Sequence, residues 1–358
     1  MAGILRAPIT DGVSTNAPNE DFHVSTTATT PTPTDDAIPS DATTIVAPLA
    51  DKHTHTVIFL HGREDYGCDL AQYFFDSKAS DGRTLAGIFP SIRWVFPTAR
   101  LRYSAQRDFE FSNSSFAEAL KGEEIISQWF DVWDIATPED REELMIAGLQ
   151  ESIGDIVQVI REEAQRVPLS RIILGGISQG CATAILALMY TGMDLGGFVG
   201  LSSWLPFQKK IEKLPVGTID NKDEARHIKD ILSMSPDMDA ALHIKKANGP
   251  VPRDFELEPE PEEGTTNRTD AAADAVNLEA SISTLSISSK AANRTPVFLA
   301  HSQDDETVPF ALGEGLHQTI EHLGFEVTWK KYEEGGHWIH PKHGVDDISA
   351  FLRRVLEF

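Results

Sequence analysis

The sequence predicts an α/β fold: a mostly parallel central sheet with helices on both faces. Three observations carry that reading. Apolar runs of strand length, such as "TVIFLH", "RIILGG" and "TPVFLAH", alternate with stretches of helical periodicity. The runs are close to continuously apolar, as strands buried on both faces are. One of them leads into "LGGISQGCA", a serine between glycines where a strand hands over to a helix.

Residues 1 to about 50 are rich in Thr, Ser, Pro and Asp and hold few large apolar side chains. Such a segment buries too little surface to offset the entropy of ordering, so a disordered tail is expected there. Residues 51–358 read as a single domain. "TVIFLH" and "SIRWVFP", the latter closed by proline, are strands. "PEDREELMIAGLQESIGDIVQVIREEAQRV" is a long amphipathic helix. Thr137 is placed to cap it, Pro138 suits its first turn, and Ile153, Ile156, Val157 and Ile160 recur at helical spacing. The strand "RIILGG", a helix from Gln179 to about Tyr190 and the strand "GFVGLSS" follow.

Residues from about 208 to 294 contain the acidic, proline-punctuated run "DFELEPEPEEGTTNRTDAAADA". They are expected to form a flexible insertion, dispensable for chemistry from about 215 to 290, with at most short helices around "NKDEARHIKDILSM". "TPVFLAH", a helix around "ALGEGLHQTIEHLG", the strand "FEVTWKKY" and the helix "VDDISAFLRRVLEF" complete the domain.

Composition excludes several classes. A net charge of −24 leaves no basic stripe for nucleic acid and no polybasic patch for anionic lipid. Cys68 and Cys181 are the two cysteines, far apart in sequence, and are expected as free thiols. No apolar run reaches the ~20 residues of a membrane helix. The opening "MAGILRAPITDG" lacks the features of a secretory signal, and Ala2 is not a myristoylation site. A cytoplasmic protein is expected, with the sequons at Asn113, Asn267 and Asn293 as chance matches.

Ser178 stands at a strand-to-helix elbow, where Gly176 and Gly180 meet the need for small neighbours. The following helix points its N-terminus at the site and favours developing negative charge. A serine nucleophile needs a histidine base and a carboxylate to orient it. Asp305 in "HSQDDETVP" and His337 in "EEGGHWIHP" follow in the order Ser, Asp, His, each in a loop after a predicted strand. On composition alone Asp304 serves as well as Asp305. The backbone amides of Arg63, after "FLHG", and of Gln179 are the expected oxyanion donors. His337, His340 and His343 recur at a spacing of three and raise the question of zinc. No cysteine or carboxylate set completes such a site, and Pro341 breaks any helix that would align them, so no metal is expected. His53 and His55, before the first core strand, read as exposed strand-edge residues.

At "VIFLHG", "FPTAR", "QWFDVWD", "RIILGGISQG", "LSSWLP", "HSQDDETVP" and "GGHW", in that order, the chain resembles the acyl-protein thioesterase and carboxylesterase family of the α/β-hydrolase superfamily. The likeness covers roughly residues 55 to 207 and 296 to 356. It implies a lidless α/β-hydrolase that cleaves thioesters or esters of fatty acyl groups, S-acylated proteins among the candidate substrates, with no cofactor. In the family motif H-G-x-x-D-x-x-V-P the acid lies four residues after the histidine. Counting from His301 selects Asp305 over Asp304. His337 falls on the family's base, Arg63 and Gln179 on its oxyanion amides, and Trp129 and Trp204 on substrate-binding positions.

The chain departs from the family pattern in several places. The usual H-G-L-G-D reads His61-Gly62-Arg63-Glu64-Asp65, Cys181 replaces the last glycine of G-x-S-Q-G-G, and Ser302 replaces a glycine. The segment after "LSSWLP" is also longer than usual. Two alternatives stand beside the thioesterase reading: a general short-chain carboxylesterase, and a non-catalytic ligand-binding or interaction module.

Overall fold

The centre of the sheet is built from strands, His55–Leu60, Ile172–Ile177, Gly197–Leu201 and Val297–Ser302, whose side chains are buried on both faces. The computed structural model describes residues 24–26, 43–115, 120–122, 124–213, 221–233 and 295–357. In chain order the strands are β1 (Val24–Thr26), β2 (Thr44–Val46), β3 (His55–Leu60), β4 (Ile92–Phe96), β5 (Leu101–Tyr103), β6 (Ile125–Ser127), β7 (Ile172–Ile177), β8 (Gly197–Leu201), β9 (Val297–Ser302) and β10 (Val327–Tyr332). The helices are α1 (Gly67–Asp76), α2 (Leu85–Ile88), α3 (Ala105–Ser112), α4 (Leu144–Glu163), α5 (Gln179–Thr191), α6 (Gln208–Ile211), α7 (Asn221–Ile231), α8 (Phe310–His322) and α9 (Gly344–Leu356).

The main sheet runs β1-β2-β4-β3-β7-β8-β9-β10. From β4 to β10 every pairing is parallel, and β2 lies antiparallel between β1 and β4. Alternate residues of each strand feed two cores. Ile58, Leu60, Ile172, Leu174 and Leu299 pack with α4, α5 and α8 on one face. Val57, Phe59, Ile173, Val199 and Phe298 pack with α1, α2 and α9 on the other. β5 and β6 pair antiparallel as a separate ribbon.

Several expectations are corrected. Residues 44–46, read as part of the tail, form β2 and pair with β4 in the register Ile45↔Val95. Thr44 and Val46 are buried there. Three residues carry too little pattern to declare a strand, and the pairing comes from β4. β1 also lies in the expected tail, whereas residues 1–23 and 27–42 lie outside the described residues.

The long helix starts at Leu144, not near Pro138. Thr137 Oγ1 donates to Asp134 and Asp140 in a local turn. Arg141 then adopts φ +53°, which no α-helix continues through, and its guanidinium lies over the Trp133 ring. His55 and His53 are not exposed edge residues. His55 opens the central strand β3 and is buried, and burial pushes its pKa down to about 4. His53 is half-buried and bonds Thr56.

The expected insertion is also redrawn at its start. α6 buries Ile211, and α7 buries Ala225 and Ile228, with Leu232 buried just beyond its end. Gln150 of α4 donates to the Leu232 carbonyl at 2.6 Å. Each buried large aliphatic side chain contributes about 1.5–3 kcal/mol, so residues 221–233 pack as part of the domain. Residues 214–220 and 234–294 lie outside the described residues.

Candidate active site

Ser178 caps α5 at the carboxyl end of β7 with φ +55° and ψ −126°. A non-glycine residue held there costs on the order of 1–3 kcal/mol unless its surroundings over-determine it. They do. Its N–H donates to Leu201 O at 2.9 Å, and its carbonyl accepts from Ala182 N and from Ser203 Oγ at 2.7 Å. Gly180 is required by close approach, since a Cβ there would meet His61 O at 2.3 Å. A Cβ built on Gly62 would lie 3.5 Å from Ser178 Cβ, which places the His61-Gly62-Arg63 turn against the serine.

That turn is held from within the protein. The Ala99 amide donates to His61 Nε2 at 2.9 Å, so Nδ1 carries the proton and donates to Gly62 O at 2.6 Å. Burial pushes the His61 pKa down to about 4 and keeps the ring neutral. The Arg63 side chain donates to Gln128, Gln106 and Ser104. The Glu64 amide donates to Ser127 O, and the Glu64 carboxylate pairs with Arg107. The two charged departures from the family motif are thus a brace between the turn and the β5–α3–β6 segment.

Gln179 is buried and adds a tie that the sequence does not advertise. Its Oε1 accepts from the Trp129 amide and its Nε2 donates to Phe130 O. Trp129 and Trp204, expected at substrate-binding positions, are instead core side chains at 2% and 1% exposure. Trp129 Nε1 donates to His61 O at 2.8 Å, and the Trp204 ring meets Phe130 edge-on. Their size fills the core beneath the site.

Asp305 follows β9 and His337 follows β10. His337 Nδ1 lies 2.7 Å from Asp305 Oδ2, and Oδ1 accepts from the amides of Thr307 and Val308. Burial disfavours the Asp305 charge, but hydrogen bonds from His301 and His337 outweigh it and hold the carboxyl well below its usual range. Ser178, Asp305 and His337 all stand at the carboxyl edge of the parallel strands. Asp305 and His337 touch, whereas Ser178 and His337 make no direct hydrogen bond.

Asp304 accepts from the amides of Gly335 and Gly336, which adopt φ +143° and +64°. The adjacent acids thus act on different groups, Asp305 holding the ring and Asp304 the loop behind it. His340 stacks on Tyr332 and on His343, and its Nδ1 accepts from the His343 amide. No group of three or more His, Cys, Asp or Glu side chains among the described residues is placed to hold a metal ion.

A mostly parallel sheet between helical layers, with a strained serine elbow at its carboxyl edge, defines the α/β-hydrolase fold. The chain belongs to the phospholipase/carboxylesterase family, whose model matches residues 41–220 and 276–356. An acyl-protein thioesterase 1 of Gibberella zeae is 24% identical over 87% of this chain and 95% of that protein. One of Yarrowia lipolytica is 32% identical over 46% of this chain and 63% of the relative. The alignment with an acyl-protein thioesterase 1 of Cryptococcus neoformans, 29% identical, spans 46% of this chain and 60% of the relative's length. Among solved structures, Zea mays acyl-protein thioesterase 2 matches with a TM-score of 0.51 at 21% identity, covering 88% of this chain and 98% of that one. That likeness concerns the fold. No helix among the described residues is long and apolar enough to cross a membrane.

Proposed function

We propose that the chain is a serine hydrolase that cleaves acyl thioesters or carboxylic esters through an acyl-enzyme intermediate. The observation that carries this reading is the 2.7 Å contact between His337 Nδ1 and Asp305 Oδ2, at the same sheet edge as the strained Ser178. Asp305 fixes the imidazole with its proton on Nδ1, which leaves Nε2 free to act as base. Ser178 Oγ attacks the acyl carbonyl while His337 takes its proton. The tetrahedral oxyanion rests on the amides of Arg63 and Gln179, each worth roughly 3 kcal/mol of barrier. His337 then protonates the departing thiol or alcohol, and water, activated by the same ring, hydrolyses the acyl-enzyme.

The name of the relatives, acyl-protein thioesterase, favours S-acylated proteins as substrates; a cytoplasmic setting and cofactor-free chemistry belong to the same proposal. Ser178→Ala should abolish labelling by a fluorophosphonate probe and hydrolysis of any acyl ester. Labelling that persists on another serine would remove the assignment.

One observation favours a narrower reading, a short-chain carboxylesterase. Arg63, Glu64 and Arg107 form a charged cluster at the His61-Gly62-Arg63 turn, where the family pattern has an apolar residue and a glycine. A chain-length series of p-nitrophenyl esters beside palmitoyl-CoA and a palmitoylated peptide separates the two. Activity confined to two to four carbons selects the carboxylesterase.

A further inference from the structure

The reaction proposed above uses one of two imidazoles that reach the same carboxylate oxygen. His301, in β9, is 2% exposed, and its Nε2 lies 3.2 Å from Asp305 Oδ2 and 3.0 Å from the Val308 carbonyl oxygen. A carbonyl oxygen only accepts, so Nε2 carries a proton that the carbonyl and the carboxylate share. Asp305 Oδ2 therefore faces two histidine N–H groups, because His337 Nδ1 approaches it at 2.7 Å. Oδ1 is occupied separately by the Thr307 and Val308 amides, each at 2.9 Å.

The other edge of the His301 ring has no polar partner. Its Nδ1 is buried without a hydrogen bond. It packs so closely on Gly313 of α8 that a Cβ there would lie 2.0 Å away, and Phe310 meets the ring edge-on. An apolar side chain of similar shape would fill this edge and leave no buried ring nitrogen without a partner. The orphaned nitrogen is what remains when an imidazole is kept for its Nε2–H.

Resting on the reading of Asp305 and His337 as acid and base, we propose that His301 is a positioning residue: its Nε2–H holds Asp305 Oδ2 and takes part of that oxygen's acceptor strength, so that His337 takes up its proton at a lower pH than it would beside Asp305 alone. A carboxylate favours an imidazolium through its charge and its lone pairs, and a second donor on the same oxygen weakens both. Other titratable groups nearby are engaged elsewhere. Tyr332 and His340 line the same small cavity as His301, with the Tyr332 hydroxyl donating to Asp347 of α9 and His340 accepting from the His343 amide. Asp304 holds the Gly335 and Gly336 amides, and Glu334 is paired with Lys342.

The test follows the His337 ring resonances by NMR against pH in the full chain, beside kcat/KM for a soluble p-nitrophenyl ester. His301→Leu removes the donor and should raise the His337 midpoint by about half a pH unit, with the acidic limb of kcat/KM moving alike. His301→Gln, whose amide nitrogen reaches where Nε2 stands, should bring the midpoint back toward the parent. If H301L does not melt cooperatively, His301→Met fills the site with a more adaptable chain and should give the same upward shift. An unchanged midpoint in the Leu or Met variant overturns the proposal, as does an equal shift in the Gln variant. A merely structural histidine would lower the melting temperature and leave the midpoint in place. Activity retained in Ser178→Ala would sink the triad reading alone, because the His337 titration needs no turnover.

Discussion

Asp304 Oδ1 accepts the Gly336 amide at 2.9 Å, one residue before the candidate base His337. Oδ2 takes the Gly335 amide as well, so an exposed carboxylate fixes the loop that carries the ring. A ring displaced by a fraction of an ångström loses much of its rate. Asp304→Ala should lower kcat/KM for a soluble ester about tenfold with little change in the thermal midpoint, and Asp304→Asn should fall between that variant and the parent. Full activity in the Ala variant would show that Asp305 alone sets the loop.

The backbone of Ser178 is strained at φ +55°. Glycine adopts that region without the steric cost that a side chain brings. Ser178→Gly should therefore abolish ester hydrolysis and raise stability by about 1 kcal/mol, read from urea melts. A destabilised variant would mean that the elbow is relaxed.

Two acids, one buried and one half-buried, give opposite pH dependences. Asp305 is held below its ordinary range, so its contribution to stability is present above that range and is lost as pH falls through it. Asp65 is pushed up to about 6, chiefly by burial and further by Asp69. The folded state binds that proton more tightly than the unfolded one, so its contribution is full below about 4 and is lost as pH rises through 6. Asp65→Asn should therefore gain on the parent more at pH 8 than at pH 5 in thermal melts. Equal gains at both would show that Asp65 is not raised.

Ile228 and Leu232 are fully buried against the α4–α5 layer. Truncating either to Ala should cost about 2–5 kcal/mol in chemical denaturation. A loss under about 1 kcal/mol would return α7 to the surface.

The Arg63 guanidinium bonds three side chains of the segment from Ser104 to Gln128. Arg63→Leu removes that brace and leaves the backbone amide in place. The expected outcome is a fall in kcat of about tenfold with KM nearly unchanged, since the proposed role of the amide is confined to the transition state. A change confined to KM would place the side chain in substrate binding instead.

The sequence by itself determined the strands of the parallel sheet, because the central ones, covered on both faces, must be apolar along their whole length, and the edge strand β10 keeps β-branched and aromatic residues beside its lysines. It also determined that Ser178, Asp305 and His337 follow β7, β9 and β10. Parallel strands send their carboxyl ends to one edge, so order along the chain became proximity in space. What only the tertiary structure decided depends on partners remote in sequence. β2 is a strand because β4 offers it an unpaired edge, and α7 is core because α4 and α5 leave a place for Ile228 and Leu232. Trp129 reads as a binding residue until His61 O takes its N–H. Asp304 reads as a spare acid until Gly335 and Gly336 arrive from the next strand's loop. Local pattern records which faces must be buried, whereas a hydrogen bond between residues tens of positions apart exists only once the chain has closed.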